Sequence, residues 1–160
     1  MKVMHELKPI YNENSKILIL GSMPSVLSRK NNFYYANPTN RFWQIMETIF
    51  SSSLNSNQEK IDFLYKNSIA LWDVIASCEI NGSSDSSIKN VKVNNINKII
   101  KETNIKTIFV TGKTALKYYN KFIYPKTKKE AIYLPSPSSA NASFSLNKLV
   151  NNYQIILSFL

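Results

Sequence analysis

The sequence predicts an α/β protein built on a central, mainly parallel four-stranded sheet with helices over both faces. Two observations carry that expectation: four short, nearly continuous apolar runs, and stretches of helical periodicity between them. A strand buried on both faces reads as an unbroken apolar run, whereas a helix that covers a sheet shows its apolar residues three and four positions apart. The length of 160 residues suits one domain spanning 1–160, with no linker and no internal repeat of fixed period.

The first run, SKILILGS (15–22), closes on glycine and predicts a first parallel strand. A helix should follow, with Asn37 as its cap, Pro38 in its first turn and Phe42, Met46, Ile49 and Phe50 as its stripe. Residues 51–57 are a polar break. Gln58 to Asn67 carries Ile61, Leu64 and Tyr65 at helical spacing, and SIALWDVI (68–75) is the second strand. After the loop NGSSDSS (81–87), Val93, Ile96, Ile99 and Ile100 mark a helix and KTIFVTG (106–112) a third strand. Ala115, Leu116 and Tyr119 suit the next helix. EAIYLPSPSS (130–139) is a fourth strand running into a Pro/Ser turn, and Leu146, Leu149, Val150, Tyr153, Ile156, Leu157 and Leu160 stripe a closing helix. In an open parallel sheet the ligand binds beyond the carboxyl ends of the strands. Those ends, GSMPS (21–25), WDVIAS (72–77), VTGK (110–113) and LPSPSS (134–139), are rich in small polar residues and proline.

Twenty basic against ten acidic side chains leave a formal net charge of +10, which favours phosphate-rich or other acidic partners. Cys78 and His5 are the only residues of their kinds, so a disulfide within the chain and a Cys/His metal set are both excluded. Cys78 is expected as a small buried or half-buried thiol and His5 as a surface residue ahead of the first strand. The first residues lack the long apolar segment of a secretory signal and no run reaches 18 apolar residues, so a reducing cytoplasmic setting and no membrane association are expected.

Several motifs fail on inspection. GKT (112–114) resembles the tail of a phosphate-binding loop, but the earlier glycine that such a loop needs is replaced by Thr107. A serine nucleophile lacks both a suitable base and a G-x-S-x-G elbow. Asp73 and Asp85 could form a carboxylate pair, although Asp73 also suits a strand-end residue bonded to loop backbone.

Two segments remain, GSMPS…YYANPTNRFW (21–43) and LPSPSSAN (134–141). They resemble the two signature motifs of the uracil-DNA glycosylase superfamily. NPTNRFW is similar to the segment of mismatch-specific uracil-DNA glycosylases, while ALWDVIASCEINGSSDSSIK (70–89) with LPSPSSAN resembles the hypoxanthine-DNA (deoxyinosine) glycosylase branch more closely. The likeness runs collinearly from residue 17 to residue 141. It implies a three-layer α/β/α sandwich and a monofunctional DNA glycosylase. Such an enzyme hydrolyses the N-glycosidic bond of a deaminated base, hypoxanthine or uracil, and leaves an abasic site for base excision repair. It further implies a monomer that uses no metal or cofactor and acts on DNA containing deaminated bases. A mismatch-specific uracil-DNA glycosylase and a non-catalytic nucleic-acid-binding module of the same fold are the alternatives.

The resemblance also assigns roles. Most branches place Asp or Asn where Met23 stands, and Met23 can neither orient nor deprotonate water. The hypoxanthine branch lacks that residue and uses the asparagine of the NPxN segment, which matches Asn40. Tyr35 would stack on the extruded base, with Gly21, Ser22, Met23 and Pro24 along its edge. Ser25, Lys113, Ser136, Pro137, Ser138, Ser139 and Asn141 would meet the DNA. Where the family often carries a bulky apolar wedge, this sequence has Ala140 and Asn141. Phe42 and Trp43 are expected in the core. Of the adjacent Tyr34 and Tyr35, one should face the pocket, because neighbours on an extended segment point to opposite sides. Lys126, Lys128 and Lys129 are expected as solvated charges.

Overall fold

A computed structural model describes the whole chain, Met1–Leu160. In chain order the strands are β1 (Lys2–Met4), β2 (Ile17–Gly21), β3 (Ile69–Asp73), β4 (Ile75–Glu79), β5 (Lys89–Val93), β6 (Thr107–Thr111) and β7 (Ala131–Leu134). The helices are α1 (Val26–Asn31), α2 (Phe42–Phe50), α3 (Asn57–Lys66), α4 (Ile96–Glu102), α5 (Lys113–Tyr118), α6 (Tyr124–Thr127) and α7 (Leu146–Tyr153). A π turn, Tyr119–Ile123, joins α5 to α6, and a 3-10 segment, Gln154–Phe159, follows α7.

The central sheet has four strands in the order β3-β2-β6-β7, every pair parallel. All five residues of β2 are buried, as its apolar run requires. Side chains alternate across it. Ile17 and Ile19 enter one core with Phe42 and Met46 of α2, Leu64 of α3, and Leu149 and Tyr153 of α7. Leu18 and Leu20 enter the other with Ile99 of α4, Ala115 of α5 and Tyr119. The three layers follow from this two-residue period, since each face of the sheet must be covered by its own helices.

Four expectations need correction. Residues 68–75 are not one strand: the chain turns at Val74, whose N–H is taken by the Gly21 carbonyl at 2.8 Å, and continues as β4. β4 joins β1 and β5 in a second, antiparallel sheet, so Val93 lies in a strand and not in the following helix. The helix placed after Asn37 begins at Phe42. Asn37 spends its side-chain oxygen on the Thr39 N–H at 3.0 Å and its carbonyl on the Asn40 N–H at 2.9 Å, closing a turn that ends before the helix starts. The closing helix tightens to 3-10 geometry after Tyr153, and Leu157 and Leu160 are exposed. The fourth strand ends at Leu134 and runs into the Pro/Ser turn, as expected.

The first fifteen residues wrap the outer edge of the sheet. β1 pairs with β4, the His5 N–H meets the Ala76 carbonyl at 2.7 Å, and Ile10 bridges Leu71 of β3 in both directions at 2.9 and 3.0 Å. An otherwise open sheet edge is thereby paired. Phe109, fully buried in β6, sits against the core on the α2/α7 side. Phe109→Ala should cost about 3–5 kcal/mol of stability, read as a lower urea midpoint with an unchanged slope.

Candidate active site

At the carboxyl ends of the four parallel strands lies a cavity of about 550 Å³. Every residue that the sequence singled out lines it: Gly21, Ser22, Met23, Pro24 and Ser25 after β2, Tyr35 and Asn40 before α2, Lys113 after β6, and Ser136, Pro137, Ser138, Ser139 and Asn141 after β7. Loop 83–86 completes the wall, and Asp73 lies on it at the end of β3.

The wall after β2 is built from small residues for a geometric reason. A Cβ added at Gly21 would stand 2.5 Å from Asp73 Oδ1 and 3.3 Å from the Tyr35 hydroxyl, so only glycine admits both groups. Ser25 caps α1 by accepting from the Ser28 N–H at 3.1 Å. Arg29 donates to the Pro24 carbonyl at 2.6 Å and the Gly82 carbonyl at 3.3 Å, and Ser22 Oγ donates to Asp85 Oδ2 at 3.0 Å. These bonds tie loop 81–87 to the segment after β2. Burial raises the pKa of Asp85; the Ser22 hydrogen bond opposes that rise and the charge of Asp73 adds to it. The sequence's carboxylate pair therefore shares one pocket. Met23 is half-buried and packs against the α4/α5-side core.

Tyr35 adopts the left-handed backbone region at φ 52°, unusual for a residue with a large side chain. The strain is held by its neighbours. The Ala36 N–H bonds Ser28 Oγ at 3.1 Å, and the buried Trp43 indole N–H bonds the Tyr34 carbonyl at 3.0 Å. Phe42 stacks on the Tyr35 ring with centroids 4.0 Å apart and planes 12° apart. Burial, and then the charge of Asp73, push the Tyr35 hydroxyl pKa far above its usual value. The neighbouring Thr111 side chain opposes that rise only in part, and the buried hydroxyl makes no well-formed hydrogen bond. Both Tyr34 and Tyr35 reach the cavity, because the turn at Tyr35 removes the alternation expected of an extended segment. Phe42 and Trp43 are core residues, as expected.

Asn40 stands just before α2, not within its first turn. Its Oδ1 accepts from the Phe42 N–H at 2.9 Å, which fixes the amide plane, and its Nδ2 bonds no protein group. The side chain therefore has one donor group and one spare lone pair for a ligand or water.

The loop after β7 is shaped by hydrogen bonds to itself and to Arg41. Asn141 Nδ2 donates to the Ser136 carbonyl at 3.0 Å, and the Ser136 and Ser138 hydroxyl oxygens accept from the N–H groups of Ser138 and Ala140 at 3.2 and 3.1 Å. Both hydroxyls keep their O–H donors. Arg41 Nη2 donates to the Ser138 carbonyl at 2.7 Å and the Asn141 carbonyl at 3.2 Å, Nε donates to the Pro137 carbonyl at 3.3 Å, and Nη1 donates to the Phe144 carbonyl. The Arg41 N–H adds a 3.0 Å bond to the Pro137 carbonyl. Ser145 caps α7, its hydroxyl oxygen accepting from the Lys148 N–H at 3.2 Å.

His5 corrects its expected surface position. Its side chain is fully buried, and Nε2 lies 2.8 Å from Asp73 Oδ2. Sequence reasoning missed His5 because nothing local marks it: a carboxylate 68 residues away brings it inside. Arg41 was legible in principle, as a five-donor side chain within NPTNRFW and a Pro/Ser turn rich in carbonyls to receive it. Cys78 is buried and unpaired, as expected. No three His, Cys, Asp or Glu side chains converge as a metal site, and no helix is long and apolar enough to cross a membrane.

Residues 8–156 match the sequence model of the uracil DNA glycosylase superfamily. Two relatives are each called hypoxanthine DNA glycosylase. The one from Methanosarcina barkeri is 35% identical over 114 residues, covering 69% of this chain and 72% of the relative. The one from Methanosarcina acetivorans is 33% identical over 142 residues, covering 87% and 89%. The solution NMR structure of a candidate uracil DNA glycosylase from Methanosarcina acetivorans is similar in fold, with a TM-score of 0.80, 29% identity, and 98% of this chain and 99% of that chain covered.

Two substitutions test the geometry. Arg41→Lys should loosen the 136–144 loop, because one ammonium cannot span four carbonyls. Amide exchange at Ser138 and Asn141 should accelerate, with a global stability loss on the order of 2 kcal/mol. Gly21→Ala should displace the Asp73 carboxylate from His5 and lower stability by about 1–3 kcal/mol, measured by chemical denaturation.

Proposed function

The chain belongs to the uracil DNA glycosylase superfamily, and from that premise we propose that it excises hypoxanthine from deoxyinosine-containing DNA, with uracil as a second substrate. The convergence of all the motif residues on one cavity beyond the strand ends carries the reading. The enzyme is a DNA glycosylase acting on deaminated bases. Its preference for hypoxanthine rests on the names of its relatives and on Met23, which stands where a polar water-orienting residue would be needed otherwise.

A glycosylase must extrude its target from the stack, at a cost of a few kcal/mol, and recover that cost by stacking and edge contacts. Tyr35 supplies the stacking face. Phe42 backs the ring, which lines the cavity. The backbone of Gly21, Ser22 and Met23, with Pro24, borders the edge of that base. Ser25, Lys113 and the loop of Ser136, Pro137, Ser138, Ser139 and Asn141 face the DNA, where the Ser136 and Ser138 hydroxyls and the Lys113 ammonium have donors to give to phosphate. The small Ala140 and Asn141 stand where the duplex is vacated.

Cleavage breaks the bond between C1′ and the base nitrogen as water adds to C1′. The sugar passes through an oxocarbenium-like state, and the departing base takes up negative charge and then a proton. Asn40 is the catalytic residue in this scheme. An amide is too weak a base to deprotonate water, but with its plane fixed by the Phe42 N–H it can align the water and stabilise developing charge. Bases that leave readily as anions, hypoxanthine and uracil, are favoured. A monomer, chemistry without metal or cofactor and a cytoplasmic setting belong to the same reading.

Duplex and single-stranded oligonucleotides containing deoxyinosine, uracil or normal bases, followed by alkaline cleavage of abasic sites, test it. Strand scission is expected at deoxyinosine and, more slowly, at uracil; salt-sensitive binding without scission would support a non-catalytic module instead. Asn40→Ala should lower the single-turnover rate by about 10²-fold or more. Tyr35→Ala should weaken capture of the base by roughly 10–100-fold. Unchanged rates for Asn40→Ala would remove it from catalysis.

A further inference from the structure

The floor of the cavity holds polar groups whose needs the protein does not meet. Asp73, only 4% exposed, ends β3 directly beside Gly21. One carboxylate oxygen, Oδ2, is bonded to His5 Nε2, whereas Oδ1 bonds no group of the protein and overhangs the Gly21 Cα. The Tyr35 hydroxyl reaches the same point and makes no well-formed hydrogen bond there, with only the Thr111 side chain beside it. A buried hydroxyl left open in this way ordinarily marks a missing ligand or water, and Asp73 Oδ1 is the acceptor beside it that no protein group occupies.

His5 has no contact of its own with the cavity. Its ring is packed edge-on to Trp72 and tilted against Tyr34, with centroids 6.4 Å away in each case. Its backbone N–H is fixed on Ala76. An ionised carboxylate only accepts hydrogen bonds, so Nε2 carries the proton, and the imidazole holds Asp73 in one rotamer.

We propose that His5 is a positioning residue that locks Asp73 Oδ2, so that Asp73 Oδ1 accepts a hydrogen bond from the ring N–H of the flipped base. The inference rests on the glycosylase reading above and deepens it to a rule of base selection. Hypoxanthine and uracil each present an N–H flanked by carbonyl oxygen on the edge opposite or beside the sugar. Adenine and cytosine, their parent bases, present a bare nitrogen lone pair at that position, which faces the carboxylate with repulsion. Deamination converts that acceptor into a donor. A carboxylate oxygen fixed opposite it distinguishes the two states, and leaving a buried polar group unpaired is the strongest means a pocket has of rejecting the wrong ligand.

The orientation imposed by His5 gives the test its direction. In Asp73→Asn, the His5 N–H still claims the side-chain oxygen and turns the amide NH₂ towards the base. Binding of free hypoxanthine, measured by equilibrium competition on the full chain, should fall about 10–100-fold, while free purine, with a lone pair in place of the N–H, should gain relative to it. Adding His5→Leu to Asp73→Asn frees the amide to flip and should abolish that reversal. His5→Leu alone should weaken hypoxanthine relative to purine, and His5→Gln, whose Nε2 can take the place of the imidazole donor, should restore the preference. Circular dichroism and melting confirm that each variant is folded. Wild-type base preference in folded His5→Leu, or unaltered hypoxanthine affinity in Asp73→Asn, would overturn the proposal. Because free-base binding requires no bond cleavage, the expected pattern supports the pair even in a chain that excises nothing, a result that would count only against the activity.

Discussion

The guanidinium of Arg41 is the constraint on which the cavity depends. The loop after β7 has no secondary structure to give it shape, and a chain segment crossing the top of a sheet leaves carbonyls that must find donors. One planar side chain answers four of them, at Pro137, Ser138, Asn141 and Phe144. It is placed to do so at the N-terminal boundary of α2, where the Arg41 carbonyl also accepts from the Ile45 N–H at 2.9 Å. The helix that packs the core therefore fixes the loop that meets the ligand. The buried Tyr153 hydroxyl of α7 adds a second hold on the Pro135 carbonyl at 2.6 Å. Two helices on one face of the sheet thus hold the loop.

With that loop held, the remaining walls are shaped by what each backbone position tolerates. Gly21 makes room for a carboxylate and a phenol at once. Tyr35 is bent into a conformation its side chain disfavours, then kept there by hydrogen bonds around it and by the Phe42 ring. Local strain of this kind costs on the order of 1–3 kcal/mol and persists only where surroundings over-determine it. Here the surroundings are core residues, so the stability of the α2/α7 side is spent in part on presenting one aromatic face.

How much of this was legible varies with the range of the interaction concerned. The parallel sheet and its main helices could be read because a strand buried on both faces and an amphipathic helix are local patterns. The antiparallel sheet could not. Lys2–Met4 and Lys89–Val93 are short, half-exposed and lysine-bearing, and β4 meets β5 with register shifts, so no clean alternation appears. Asn37 and Pro38 look like a helix start because they are a turn, and the residues that close turns also open helices. The cavity wall was readable at Gly21–Ser25, Asn40 and Ser136–Asn141, where a family resemblance supplied what spacing alone does not. His5 was misread because a single histidine carries no pattern, and its partner is distant.

Distance along the chain also bears on how the molecule is made. The contacts that complete the pocket are separated by 68 residues between His5 and Asp73, and by 96 to 103 residues between Arg41 and the loop beyond β7. Closing such separations is favourable only when the intervening elements have already brought the ends together. During synthesis β2, β3, β6 and α2 can assemble while the last quarter of the chain is still unmade. The pocket cannot. A nascent chain short of Phe144 lacks the full set of carbonyls that Arg41 gathers, so ligand competence arrives as one of the last events of folding.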